Sequence, residues 1–161
     1  MEYRRLGSSG LKVSALSFGS WVTFVYQLDE STATKCMDYA YNEGVNFFDN
    51  AEAYANGKSE KLMGNIIKNL KWTRDTYILS SKVFFGGEKP TQRGLCKKHI
   101  HDACNAALKR MKVDYLDLFY CHRPDPETPI LETIYAMNDL ITQGKIIYWG
   151  TSEWSAKELE E

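Results

Sequence analysis

The chain is predicted to be an α/β protein built on a parallel sheet. Short apolar runs that read as strands alternate with longer stretches of helical periodicity from about residue 15 onward. Such alternation places successive strands parallel and joins them by right-handed crossovers. Two architectures fit it, a doubly wound open sheet and a (β/α)8 barrel. An open sheet that binds a dinucleotide would carry Gly-x-Gly-x-x-Gly after its first strand, and the chain has no such run. It also lacks the Gly-x-x-x-x-Gly-Lys-Ser/Thr loop of a P-loop enzyme. A complete barrel takes about 250 residues. The 161 residues here hold five strands and four complete helices, the first half of a barrel plus one strand.

Each element has a local reason. Tyr3 to Leu6 and Leu11 to Val13 flank Gly7-Ser8-Ser9-Gly10, a turn sequence, and read as a hairpin. Ala15 to Phe18 is a strand that ends at Gly19. A helix starts near Ser31 with Ala33, Cys36, Met37 and Ala40 as its stripe, and Gly44 ends it, because glycine reaches the left-handed C′ conformation freely. Val45 to Phe48 is a strand that ends at Asp49. The next helix runs from about Lys58 to Leu70, with Leu62, Met63, Ile66, Ile67 and Leu70 on one face. Tyr77 to Val83 is a strand. The helix near Gln92 to Met111 buries Ile100, Ala103, Cys104, Ala107, Leu108 and Met111. Tyr115 to Tyr120 is a strand, and the helix from about Pro129 to Thr142 turns Ile130, Ile134, Met137 and Ile141 inward. Gly144 stops that helix, Lys145 to Gly150 is the fifth strand, and a further helix begins at Ser155.

Composition narrows the class. Lys+Arg is 20 and Asp+Glu 21, a net charge of −1, which argues against nucleic-acid or membrane-surface binding through clustered basic charge. Aromatic residues make up 13%, too many for a disordered chain. No apolar run is long enough to span a membrane. The first ten residues lack the apolar stretch of a secretory signal. Cys36, Cys96, Cys104 and Cys121 form no Cys-x-x-Cys pair and are too sparse for a disulfide scaffold, so a reducing cytoplasmic location is expected.

In barrels, chemistry collects where the strands end. The strand exits here carry Ser20-Trp21, Asp49 with Tyr54 five residues on, Lys82, His122-Arg123, and Thr151-Ser152-Glu153. A tyrosine is a poor acid at neutral pH, and a neighbouring ammonium such as Lys82 favours its phenolate. Asp49 would hold that lysine charged, and His122 would donate to a carbonyl oxygen. Together the four residues describe protonation of a carbonyl that receives a hydride from a nicotinamide cofactor. Each residue alone has an ordinary surface or loop explanation. His99 and His101 are two apart on a helix, a poor metal pair, and are expected to point outward. No metal site is expected. Cys121 is expected to be a buried, inert thiol.

Leu16-Ser17-Phe18-Gly19-Ser20-Trp21, Phe48-Asp49-Asn50-Ala51-Glu52-Ala53-Tyr54, Leu79-Ser80-Ser81-Lys82-Val83, His122-Arg123-Pro124-Asp125 and Trp149-Gly150-Thr151-Ser152-Glu153-Trp154 resemble the aldo-keto reductase family. Within it they resemble the voltage-gated potassium channel β-subunit branch, plant-type because His122 stands where animal β-subunits commonly have Asn. The resemblance implies a (β/α)8 TIM barrel that uses NADP(H), with residues 1–161 as the N-terminal part of one oxidoreductase barrel domain. It implies Tyr54 as the acid, Lys82 as its tuner, Asp49 as the partner of Lys82 and His122 as the orienting donor. It implies cofactor contacts from Ser20, Trp21, Gln27, Asp49 and Ser152. Trp21, Phe85 and Arg123 are candidates to line the substrate opening, with rim packing as the alternative for Trp21 and Phe85. Glu153 stands where many reductases have Asn and animal β-subunits Arg. The expected function is reduction of aldehydes or ketones. The alternative is an accessory subunit docking on a potassium channel α-subunit, as a homo-oligomer that is tetrameric in the family, or a chain inactive on its own. The beginning helix at Lys157 to Glu161 leads to the expectation of a fragment of a longer reductase.

Overall fold

The computed structural model describes residues 1–161. A hairpin opens the chain: β1 (Tyr3–Arg5) pairs antiparallel with β2 (Lys12–Ser14) across Gly7, which takes the positive φ the turn demands. The rest alternates: β3 (Phe18–Gly19), α1 (Glu30–Asn42), β4 (Phe47–Asp49), α2 (Lys58–Leu70), β5 (Ile78–Val83), α3 (Lys97–Met111), β6 (Leu116–Cys121), α4 (Ile130–Thr142), β7 (Ile146–Thr151) and α5 (Ala156–Glu160). No helix is long and apolar enough to cross a membrane.

The sheet decides between the two architectures that the alternation allowed. Its order is β3-β4-β5-β6-β7 and every pairing is parallel. A doubly wound sheet reverses its strand order at a switch point. This sheet never reverses, so each crossover winds the same way, and α1 to α4 pack side by side. The result is an arc of a (β/α)8 barrel with β3 and β7 as its edges.

Helix boundaries follow capping chemistry. Asp29 caps α1 by accepting from Thr32 N–H at 2.7 Å. Lys71 and Lys112 close α2 and α3 in the left-handed conformation, each sending its N–H back to the carbonyl four residues earlier. Gly64 lets α2 meet α3, since a Cβ there would lie 2.6 Å from the Met111 backbone. The core between sheet and helices includes Phe24, Phe48, Met63, Ile66, Ile100, Phe119 and Met137, all nearly inaccessible. Truncating Phe119 to Ala would cost about 3–5 kcal/mol through lost burial and a residual cavity.

Four expectations are corrected. The strand from Ala15 shrinks to Phe18–Gly19, because Ala15 belongs to the hairpin, its N–H donating to Glu2 O at 2.8 Å, and Leu16 O accepts from Ser14 Oγ at 2.6 Å instead of from a neighbouring strand. Residues 90–92 form a separate 3₁₀ turn, and α3 begins only at Lys97, since Pro90 and a positive-φ Gly94 impose turn geometry first. Cys36 is exposed, because α1 has a neighbouring helix on one side only. On α4, the buried row is Thr133, Ala136, Met137 and Leu140; Ile130 and Ile134 are half-buried and Ile141 is exposed. Both rows have helical spacing and share Met137, so period alone does not choose, and the small Thr133 and Ala136 pack closest.

Candidate active site

Four of the predicted residues meet at the C-terminal rim. Lys82 lies on β5, where alternation puts it on the same face as Ser80. Asp49 ends β4 beside Ser80 in register. Asp49 Oδ2 accepts from Lys82 Nζ at 2.6 Å, and Oδ1 accepts from Ser80 Oγ at 2.6 Å. Lys82 also donates to Asn50 O at 2.8 Å and to the Tyr54 hydroxyl oxygen at 3.1 Å. Its three N–H bonds are therefore all spent, one on each partner. Because the Tyr54 oxygen accepts from Lys82, its own proton is left for another acceptor.

Tyr54 is held by an uncommon backbone. Ala55, Asn56 and Gly57 follow it with φ of 50°, 53° and 78°. Left-handed geometry at Ala55 costs roughly 1–2 kcal/mol, and strain of this kind gathers at functional sites. Gly57 is required on two counts, its positive φ and the side chain of Arg110, which would lie 2.9 Å from any Cβ.

His122 directly follows β6. Its ring stands edge-on to Tyr54, centroids 5.9 Å apart, and to Phe85 at 5.6 Å. The ring is buried and Nδ1 has no hydrogen-bond partner. Burial, followed by the positive charges of Lys82 and Arg123, pushes His122 down to about 4. It is therefore neutral at physiological pH. Behind it, burial pushes the Cys121 thiol up to about 12, so this cysteine is inert as expected.

The other predicted residues divide. Ser152 and Asp49 share a cavity of about 260 Å³ with Ser17, Gly19, Phe47, Lys82, Tyr120 and Thr151. Ser20 is fully buried and donates to Asp49 O at 3.0 Å. Trp21 is 67% exposed and stacks on Tyr54 with centroids 6.3 Å apart, so it faces the opening and does not fill the rim. Phe85 is half-buried between His122 and the guanidinium of Arg93. Arg123 pairs with Glu153 at 3.0 Å, tying the loops that follow β6 and β7. Gln27 is exposed on the Trp21 loop, and its side chain makes no hydrogen bond; the fold does not gather it with the rest.

Three residues escaped the reading of strand exits. Ser80 and Tyr120 lie within strands, each two residues before a predicted site residue, and the period-2 rule alone would have put them on the same face. Glu52 lies between Asp49 and Tyr54, and its carboxylate is buried. The outward placement expected for His99 is also wrong. It is 4% exposed, because its Nδ1 bonds Gly94 O at 2.8 Å and its Nε2 faces Glu52.

The whole chain is similar to known proteins. The chain is 53% identical, over its whole length, to a protein of Arabidopsis thaliana described as a probable voltage-gated potassium channel subunit beta. It is 50% identical to one of the same description from rice, Oryza sativa subsp. japonica. It spans about half the length of these curated relatives, 49% of each. The crystal structure of a thermostable aldo-keto reductase with the inhibitor epalrestat superposes with a TM-score of 0.86 at 32% identity, covering 99% of this chain and 57% of that one. The aldo/keto reductase family model matches residues 15–161, everything beyond the hairpin, and the chain belongs to that family.

Proposed function

We propose that the protein of which this barrel arc forms part reduces aldehydes or ketones with NADPH, and that Tyr54 is the general acid. The observation that carries this is the Lys82 ammonium, which donates at once to Asp49 and to the Tyr54 oxygen. The cavity beside Lys82 fits a nicotinamide group: Asp49 and Ser152 offer polar contacts, and the backbone at Gly19 adds no side chain. Asp49 and Ser152, with Trp21 at the opening, are the residues that would hold the cofactor; Ser20 supports Asp49 from behind, and Gln27 lies apart from them. When bound, it supplies the hydride that reduces the carbonyl carbon.

The chain's own residues manage the proton. Tyr54 gives its hydroxyl proton to the carbonyl oxygen as negative charge builds there. Lys82 stabilises the phenolate that remains, and Asp49 and Ser80 keep Lys82 charged and aimed. His122 is neutral, and its Nε2, which makes no hydrogen bond within the chain, would carry the N–H that binds the carbonyl oxygen and orients it. Trp21, Phe85 and Arg123 line the approach.

The test is Tyr54→Phe in a full-length barrel that carries this sequence. Turnover of a simple aldehyde should fall about 10²–10⁴-fold, the usual worth of a general acid, with NADPH fluorescence quenching retained. Unchanged turnover would remove Tyr54 from the chemistry. A second reading, docking on a potassium channel α-subunit as a homo-oligomer, is favoured by the likeness of the whole chain to two plant β-subunits. Co-purification of the Tyr54→Phe protein with a plant channel's cytoplasmic domain tests it independently of catalysis, and absence of complex counts against it.

A further inference from the structure

Behind the site, on the α3 side of β5, lies a second group of charges that the proposed chemistry does not use. Glu52 is bound to the Lys82 strand twice. Its backbone N–H donates to Lys82 O at 3.2 Å, and its Oε1 accepts from Phe84 N–H at 2.7 Å. It thus joins the loop that carries Tyr54 to the strand that carries Lys82 and to the start of the Phe85 loop. Its other oxygen, Oε2, lies 3.5 Å from His99 Nε2. Both side chains are almost wholly buried. Gly86 closes over them, for a Cβ there would lie 2.7 Å from His99 Nε2 and 2.8 Å from Glu52 Oε2.

Hydrogen-bond chemistry calls for a proton between the two members of this pair. Gly94 O is a carbonyl and only accepts, so His99 Nδ1 must carry a proton to bond it. A neutral ring would then present the bare lone pair of Nε2 to a carboxylate oxygen, which is repulsive. A doubly protonated ring presents N–H to both acceptors. We infer that His99 is held as an imidazolium, and that with Glu52 it forms a buried positioning pair that fixes the Tyr54 loop against the Lys82 strand.

The surroundings agree. Besides Glu52, the charged groups facing His99 are Asp102, one turn along α3, and Arg110, which lines the same cavity of about 290 Å³. Gly86, Thr91 and Gln92, on the loop side, are uncharged. Burial alone would push His99 down, but the hydrogen bond and charge of Glu52, the Gly94 carbonyl and Asp102 outweigh it and hold it above its ordinary value. As pH rises through that raised value the pair loses its charge, and the clamp on the Tyr54 loop loosens.

The role given to the clamp rests on reading Tyr54 as the acid, so the test is spectroscopic and needs no turnover. The protein is labelled with ¹⁵N in its histidine rings and with ¹³C at tyrosine Cζ. Near pH 7 both ring nitrogens of His99 should be protonated; a ring protonated at Nδ1 alone overturns the inference. In Glu52→Gln, His99 should lose its proton at least about one pH unit lower, and an unmoved titration counts equally against it. The Tyr54 Cζ resonance should shift in both Glu52→Gln and His99→Gln, while His101→Gln leaves it in place. A Tyr54 resonance unmoved in the first two reduces the pair to a structural role and sinks the positioning claim. Should Glu52→Gln fail to fold, the unmodified protein's titration and His99→Gln still decide. The reading of Tyr54 itself fails separately, through unchanged aldehyde turnover in Tyr54→Phe.

Discussion

On the inner face of β5, Asp49 accepts one hydrogen bond from Ser80 Oγ and one from Lys82 Nζ, both at 2.6 Å. On the outer face, Glu60 accepts one from Ser81 Oγ at 2.6 Å and one from Arg110 Nε at 2.5 Å. Two consecutive serines thus anchor two carboxylates, each also held by a cation, on opposite sides of one strand. What differs is access. The Asp49 side chain is 24% exposed and that of Lys82 12%, whereas Glu60 is sealed at 0%. The inner group has Tyr54 within reach of Lys82 and a cavity beside it. The outer one has only α2 and α3 to hold together. The same chemical motif is open to an approaching molecule on one face and sealed between helices on the other.

His122 and His99 are both buried, yet their pKa values move in opposite directions. His122 looks toward Lys82 and Arg123 and is driven neutral. His99 looks toward Glu52 and Asp102 and is held above its ordinary value. Burial disfavours both imidazolium forms, so the sign of the neighbours settles each case.

The sharpest way to break the contrast is to remove one charge from each face. Lys82→Met should lower aldehyde turnover by about 10²–10⁴-fold, because Tyr54 loses the donor that stabilises its phenolate. Steady-state kinetics read this, and a silent change would put Lys82 outside the mechanism. The outer counterpart is Glu60→Gln. It leaves the Arg110 guanidinium without its charge partner and should cost about 2–3 kcal/mol in urea unfolding, less than a fully buried pair because Arg110 is partly exposed. Turnover at saturating substrate should hardly move. A large kinetic loss with unchanged stability would erase the division between the faces.

Next in size is the pH dependence of stability. The folded pKa of His122 is depressed, so its contribution is intact above the unfolded value of about 6.5 and is lost as pH falls toward and through about 4. That of His99 is raised, so its contribution is complete below about 6.5 and is lost as pH rises through the folded value. His122→Asn should flatten the acid limb of a stability–pH curve and His99→Gln the alkaline limb. Both variants altering the same limb would contradict the opposite shifts. The smallest effect belongs to the rim. Glu153→Ala breaks an exposed pair with Arg123 and should change stability by at most about 1 kcal/mol. A thermal-melt shift well beyond that would mean the β6 and β7 loops depend on the pair.

Much of this was legible beforehand, for reasons that particular residues make plain. α2 begins and ends where its periodicity and flanking turn residues put it, at Lys58 and Leu70. Asp49, Tyr54, Lys82 and His122 were legible because each follows or ends a strand, and a barrel brings strand ends to one rim. His99 was misjudged because helical spacing reports only the side of a helix, not what packs over it. The long Phe84–Cys96 connection folds back across the first turn of α3, and no local pattern announces that. The buried face of α4 was missed because it includes the polar Thr133 and the small Ala136, while Ile130, Ile134 and Ile141 form a more apolar row that also passes through Met137.

The sequence alone determined the order and type of the elements, their parallel winding and the residues at each strand exit, because periodicity, capping and turn chemistry act over a few neighbouring residues. Only the tertiary structure decided that the sheet is singly wound, that Lys82 donates to Asp49 and Tyr54 together, that Glu60 is sealed while Asp49 stays accessible, and that the two buried histidines shift in opposite directions. These depend on distances between groups 20 to 50 residues apart, and charge state is set by whatever group the fold brings within a few ångströms.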